Sequence, residues 1–142
     1  MPSSADETSA RVLSLFVAIN RRYARESEAA AATYELTALQ AKALMATVEP
    51  VPMRTVADRL HTEPSNVTAV VDRLEERGLV ERRPAPTDRR IKLVAATEAG
   101  RRAIAELRAA MPFAADPLAA LDATQRATLC ELLALLAEEP QS

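Results

Sequence analysis

Two short apolar stripes at helical spacing, separated by six residues, constrain this chain more than any other feature. Met53, Val56, Ala57 and Leu60 fall at i, i+3, i+4 and i+7, which predicts a helix over about 53–60 with one buried face. Val67, Val70, Val71 and Leu74 repeat the pattern and predict a second helix over 64–77. His61-Thr62-Glu63 makes the turn between them. Pro64 suits the first position of the second helix, where its missing N–H costs nothing. Gly78 follows where a left-handed C-terminal cap is wanted. Helices this short cannot bury their stripes on each other alone, so the pair must pack on further elements.

The sequence supplies those elements on both sides. Val12, Leu13, Phe16, Val17, Asn20 and Tyr23 recur at helical spacing within a first stretch from about Asp6 to Ala32, with Ser3 or Ser4 as its cap and Asp6 and Glu7 in its first turn. Thr37-Ala38-Leu39-Gln40 reads as a capping box. It opens a helix expected to reach about Glu49, with Leu39, Ala43, Leu44 and Val48 inward and Pro50 and Pro52 ending it. Beyond Gly78, residues 79–83 read as a strand, 84–89 as a turn-rich tip and 90–95 as a returning strand. Thr97 caps a fifth helix, which Pro112 and Pro117 should kink or interrupt. Asp122-Ala123-Thr124-Gln125 resembles another capping box; it starts a last helix carrying Leu129, Leu132, Leu133, Leu135 and Leu136, with Pro140 as its stop. The expected fold is mainly α with a small β-wing, a winged helix-turn-helix flanked by further helices.

Composition narrows the function classes. The 142 residues fit one domain with a real core, 49 % apolar and 27 % charged. Two glycines, four Phe and Tyr together and no Trp favour helix over sheet. The longest apolar runs fall far short of the ~20 residues of a membrane span. Residues 1–7 lack the basic start and apolar core of a signal peptide, so a cytoplasmic location without a membrane partner is expected. Cys130, the single cysteine, forms no internal disulfide. It sits in an apolar stretch without a basic neighbour, which predicts a buried structural thiol. His61, the only histidine, reads as a turn residue. No phosphate loop, dinucleotide fingerprint or nucleophile elbow occurs, so no enzyme, cofactor or metal is expected.

Net charge is −2, which by itself argues against nucleic acid, but its distribution argues the other way. Arg82, Arg83, Arg89, Arg90 and Lys92 face only Asp88 within residues 82–92, a local +4 that leaves −6 for the rest. Arg outnumbers Lys 16 to 2. That ratio fits phosphate recognition, and fits equally an Ala- and Arg-rich base composition. With Val67, Val70, Val71 and Leu74 buried, the opposite helix face shows Ser65, Asn66, Thr68, Ala69, Asp72 and Arg73. It is small and polar near its start and can enter a major groove about 12 Å wide. Asn66 suits adenine or phosphate, Arg73 guanine or phosphate. The plainer alternative is that Ser65 and Asn66 merely begin a helix and Arg73 is a solvated charge. Arg54 is assigned to a phosphate. The hairpin suits the phosphates, with an arginine for a narrow minor groove, although basic hairpins also serve as solvated edges. Asp88, two residues before Arg90, can hold that guanidinium by a charge-assisted hydrogen bond.

These residues resemble the multiple-antibiotic-resistance-regulator (MarR) family of transcription factors. The likeness runs through Val56-Ala57-Asp58-Arg59-Leu60, then from Val67 to Val80 with Leu-x-x-x-Gly-Leu-Val, then Asp88-Arg89-Arg90 and Thr97-Glu98-Ala99-Gly100. The spacing of these pieces is specific jointly, each alone being weak. His61-Thr62-Glu63-Pro64 departs from the pattern, standing where many members have Gly, an aliphatic residue and a Ser or Asp cap. The resemblance implies a homodimer with residues 1–34 and 98–142 as dimerisation helices and 35–97 as the DNA-binding lobe, Arg90 being the minor-groove residue. It implies a regulator of transcription, most often a repressor released by a small aromatic or phenolic ligand. Arg11, Phe16, Arg21 and Tyr23 are candidates to line such a pocket, and none is assigned. Leu135 and Cys130 lie off the leucine stripe of the last helix, so that helix needs more than one apolar neighbour, as a dimer or inside a monomer. A two-fold dimer places its recognition helices about one DNA turn apart and favours a near-palindromic operator. The alternative is a winged-helix module that binds a protein partner and no DNA.

Overall fold

The computed structural model describes Met1 and residues 3–138. Its first helix, α1 (Ser4–Ala32), begins two residues earlier than the periodicity predicts because Ser3 caps it. The Ser3 hydroxyl accepts the Asp6 N–H at 3.2 Å while the Asp6 carboxylate accepts the Ser3 N–H at 3.1 Å. At 29 residues α1 spans roughly 43 Å, and only Ala30 and Ala31 at its far end are buried.

α2 (Ala38–Met45) has the expected Thr37/Gln40 box, with bonds of 3.1 and 3.0 Å, but stops four residues before Glu49. Beyond Met45 the chain tightens into a turn. The Thr47 N–H and its buried hydroxyl both donate to the Leu44 carbonyl, at 3.0 and 2.6 Å, and the Thr47 carbonyl accepts the Ala96 N–H at 3.0 Å, tying the turn to the sheet. The chain then makes β1 (Val51–Pro52), a two-residue edge strand that no periodicity announces, where a proline is tolerated. Ala43 and Leu44 are inward as expected and Val48, half-buried, packs against the core; Leu39 is exposed, a correction to the inward stripe.

α3 (Met53–Leu60) and α4 (Pro64–Glu76) follow with the predicted turn between them. Where a glycine cap is common, His61 adopts the left-handed conformation at φ 50° and ends α3. β2 (Val80–Pro84) and β3 (Lys92–Ala96) form the hairpin, and β1 pairs with β3 to give the order β1-β3-β2. Arg90 and Ile91, expected in the returning strand, belong to the tip, because the Ile91 N–H turns back to the Asp88 carbonyl at 3.0 Å.

Thr97 caps α5 (Glu98–Ala110), and Pro112 opens the one-turn α6 (Pro112–Ala115). α7 (Ala123–Ala137) starts from the Asp122/Gln125 box; the expected stop at Pro140 lies outside the described residues. The core is the wedge where α2, α3, α4, the sheet and α5 meet, around Leu44, Val56, Val67, Val71, Leu74, Val94 and Leu107. No residue of α7 is buried. Among the described residues no helix is long and apolar enough to cross a membrane.

Candidate DNA interface

α4 is held by its apolar stripe. Val67, Val71 and Leu74 are fully buried and Val70 is half-buried, which turns Ser65, Asn66, Thr68, Ala69 and Arg73 outward. Their polar groups are only loosely engaged. Asn66 Nδ2 donates to the Thr62 hydroxyl at 3.4 Å, the Thr68 hydroxyl reaches the Pro64 carbonyl at 3.5 Å, and Arg73 lies 3.5 Å from Glu76. Each can exchange its partner for an external one at little cost. Arg54 is exposed in the first turn of α3 and makes no ion pair among the described residues.

Gly78 ends α4 with φ 72°, its N–H donating to the Glu75 carbonyl at 2.9 Å. The base of the hairpin is then welded to α5. The Thr97 hydroxyl donates to the Gly78 carbonyl at 2.6 Å and accepts the Gly100 N–H at 3.1 Å, while the Thr97 N–H donates to the Leu79 carbonyl at 3.1 Å. This is the physical content of the Thr-x-x-Gly spacing. Gly100 is required because a Cβ there would stand 1.9 Å from the Leu79 oxygen.

The hairpin cations divide into two groups. Arg82, halfway along β2 and opposite Val94, points back onto α4. Its Nη2 is 2.5 Å from Asp72 Oδ1, its Nη1 2.7 Å from Glu75 Oε1, and its own N–H donates to Glu75 Oε2 at 3.2 Å. The hydrogen bond to Asp72 holds the Arg82 proton more tightly than usual, against the opposing effect of partial burial. Asp72 and Glu75 in these roles were missed by sequence reasoning; the signal was two acids at i, i+3 along the edge of the helix facing the strand. The other cations project away from the body. Arg83 is 3.8 Å from Glu81, and Arg89 and Lys92 are exposed and make no ion pair among the described residues. At the tip the Asp88 carboxylate accepts both the Arg90 backbone N–H at 3.0 Å and its Nε at 3.3 Å, leaving a side chain 92 % exposed.

Between α1 and α2 lies a cavity of about 220 Å³ with an apolar lining from Tyr23, Ala24, Leu39, Met45 and Met111, edged by Glu28 and Lys42. Of the four pocket candidates in the sequence it includes Tyr23; Arg11, Phe16 and Arg21 lie elsewhere on α1. Cys130, expected to be buried, is exposed on the chain's own surface. α7 lays its leucines outward instead of into the core, Leu135 at 70 % and Leu136 at 69 % exposure. Val12, Leu13, Phe16 and Val17 of α1 are likewise exposed.

The family model described as the MarR family matches residues 30–92. Among curated protein sequences none matches. The chain is similar to CouR from Rhodococcus jostii RHA1, solved bound to p-coumaroyl-CoA, at 30 % identity, with 90 % of this chain and 92 % of that chain covered and a TM-score of 0.72. It is similar to a MarR family transcriptional regulator from Rhodococcus sp. RHA1 at 29 % identity, covering 88 % and 91 %, with a TM-score of 0.66. The fold is also that of a mutant MarR from E. coli complexed with operator DNA, at 24 % identity over 96 % and 100 % of the two chains, TM-score 0.66. Half-open polar contacts on α4 beside an outward-facing cationic hairpin, on this scaffold, identify the chain as a member of the MarR family of transcriptional regulators, with its winged-helix DNA-binding fold.

Proposed function

We propose that the protein is a homodimeric repressor that reads a near-palindromic operator and is released by a small ligand. The observation that carries DNA reading is the pairing of the outward α4 face with an Arg90 that is steered by Asp88 yet almost wholly exposed. Ser65, Asn66, Thr68, Ala69 and Arg73 enter the major groove, Arg90 enters the minor groove, and Arg54, Arg83, Arg89 and Lys92 meet phosphates. Arg82 stands behind this surface.

Dimerisation is supported by surface arithmetic. The chain exposes 10076 Å², whereas a compact monomer of this size exposes about 7,200 Å². The surplus of about 2,900 Å² includes the apolar faces of α1 and α7 and matches what each member of a large, obligate interface would cover. The ligand reading rests on the α1/α2 cavity, which has room for one aromatic ring with a short tail and a lysine at its rim for an acidic group. Likeness to a protein solved with p-coumaroyl-CoA points the same way. Such a regulator acts in the cytoplasm.

The test begins with selection of bound fragments from genomic DNA, followed by affinity measurement at fixed salt. Arg90→Ala is expected to keep the dimer folded, weaken operator binding roughly 5- to 150-fold and flatten the salt dependence by about one phosphate-equivalent contact. Unchanged affinity at matched salt would sink the wing model.

A further inference from the structure

We propose that Arg82 is a positioning residue for operator recognition, clamping the base of the wing to the recognition helix, and is not itself a DNA contact. The proposal rests on the DNA-binding reading above and adds the device that fixes the angle between the two groove-reading elements.

Three observations carry it. First, the guanidinium is spent on two carboxylates of one helix: Asp72 at 2.5 Å and Glu75 at 2.7 Å sit at i, i+3, and the backbone N–H of Arg82 makes a third bond to Glu75 at 3.2 Å. A planar fork that bridges two acceptors fixes direction as well as distance, which a point charge does not. Second, its side chain is only 26 % exposed, whereas the tip arginine Arg90 is 92 % exposed. A phosphate contact from Arg82 would require breaking the clamp. Third, the clamp sits midway along β2, opposite Val94, while every cation assigned to DNA in the hairpin lies beyond it toward the tip. A small rotation of β2 against α4 at Arg82 is therefore amplified at Arg90.

The carboxylates make the proposal decisive to test, because charge and geometry predict opposite signs. Asp72 and Glu75 are 54 % and 43 % exposed on the helix that enters the groove, so on field alone their removal strengthens attraction to phosphates. If they hold the clamp, their removal frees the wing and weakens binding to the operator.

The experiment measures operator and random-sequence DNA affinities at one salt concentration for the wild-type dimer, Asp72→Asn/Glu75→Gln and Arg82→Lys, with thermal melts as the folding control. The expected result for the double variant is an operator affinity lower by on the order of tenfold, the worth of one lost base-pair contact, with random-sequence affinity equal or higher. Arg82→Lys keeps the charge but not the fork; it is expected to lose operator affinity and keep random-sequence affinity. A double variant that binds the operator as well as or better than wild type overturns the proposal, as does an Arg82→Lys protein with full operator affinity. If the double variant does not fold, Arg82→Lys alone decides. Wild-type protein that prefers no sequence would instead remove the DNA reading itself.

Discussion

Replacing Gly100 with alanine sets two principles against each other, and the structure says which prevails. Gly100 is the third residue of α5, and alanine there gains up to ~1 kcal/mol of helix propensity. The added Cβ, however, would lie 1.9 Å from the Leu79 oxygen, 3.0 Å from its carbonyl carbon and 3.3 Å from the Ala96 Cβ. An ordinary carbon–oxygen contact is about 3.3 Å, so α5 and the 78–79 backbone must part by roughly 1.4 Å. Neither side is a flexible side-chain end. That movement stretches the Thr97 N–H bond to Leu79 and both bonds of the Thr97 hydroxyl, each worth about 1 kcal/mol. Overpacking of this kind costs typically 1–3 kcal/mol, so with the three bonds lost and up to ~1 kcal/mol of helix propensity regained the net is a loss of about 3–5 kcal/mol. For a chain of this size the melting temperature falls by roughly 10 °C. Circular-dichroism melts measure it at matched protein concentration, because the melting temperature of the proposed dimer depends on concentration. Gly78→Ala is the comparison: nothing lies within 4 Å of that Cβ but φ is 72°, so only the left-handed penalty of about 1–2 kcal/mol applies. A Gly100→Ala protein that melts at or above wild type, or above Gly78→Ala, would refute the steric argument.

Three further outcomes follow from the same geometry. His61 ends α3 with φ 50° and is exposed; His61→Gly relieves the left-handed strain and is expected to raise stability by about 1 kcal/mol, less the extra entropy of the unfolded chain, with a lower melting temperature as the contrary result. Leu135→Arg/Leu136→Arg places charge on the exposed α7 face and is expected to halve the sedimenting mass of the proposed dimer without unfolding the winged-helix lobe; an unchanged mass would contradict a dimer contact through α7. The Ser3 hydroxyl, and then its backbone N–H, hold the Asp6 carboxyl below its usual range. A depressed carboxyl stabilises above its unfolded pKa and stops doing so as pH falls through the lower folded value. The first turn of α1 should therefore fray in that acid window, seen as faster amide exchange at residues 6–8, and Ser3→Ala, which keeps only the backbone N–H bond, should reduce the pH dependence; protection that is flat through the window contradicts the cap.

What could be read directly from the chain was local chemistry. Ser3, Thr37, Thr97 and Asp122 cap helices because their oxygens reach N–H groups three residues on, a relation complete within four residues. Pro64 and Gly78 punctuate α4 for equally local reasons. What escaped depends on partners distant in sequence. β1 is two residues long and exists only because Val51 meets Val94, and the turn that follows α2 is tied to the sheet through Thr47 and Ala96. Leu39 breaks its expected inward stripe because its side of α2 walls the cavity. Cys130 departs from expectation for a related reason: an apolar run does not by itself bury a helix within its own chain, and α7 leaves its leucines on the chain's surface.

The cationic hairpin shows the same limit on the side of function. Counting residues 82–92 gives +4, yet the charge is not all available at the outer surface. Arg82 is spent on Asp72 and Glu75, and Arg83 is shadowed by Glu81 at 3.8 Å. Asp88 subtracts a charge at the very tip, which would be wasteful if the wing worked by attraction alone. Its carboxylate instead binds the Arg90 backbone N–H and one edge of the guanidinium, so the remaining nitrogens are aimed outward. Attraction to phosphate scales with the number of cations and fades with salt, whereas discrimination among sequences needs donors held in fixed directions. Two of the hairpin's five cations are thus paired with acids that set direction, one within the tip and one against α4. On the proposed function, an overall acidic chain reads DNA on these terms because the acids nearest the candidate interface orient its arginines as well as neutralise them.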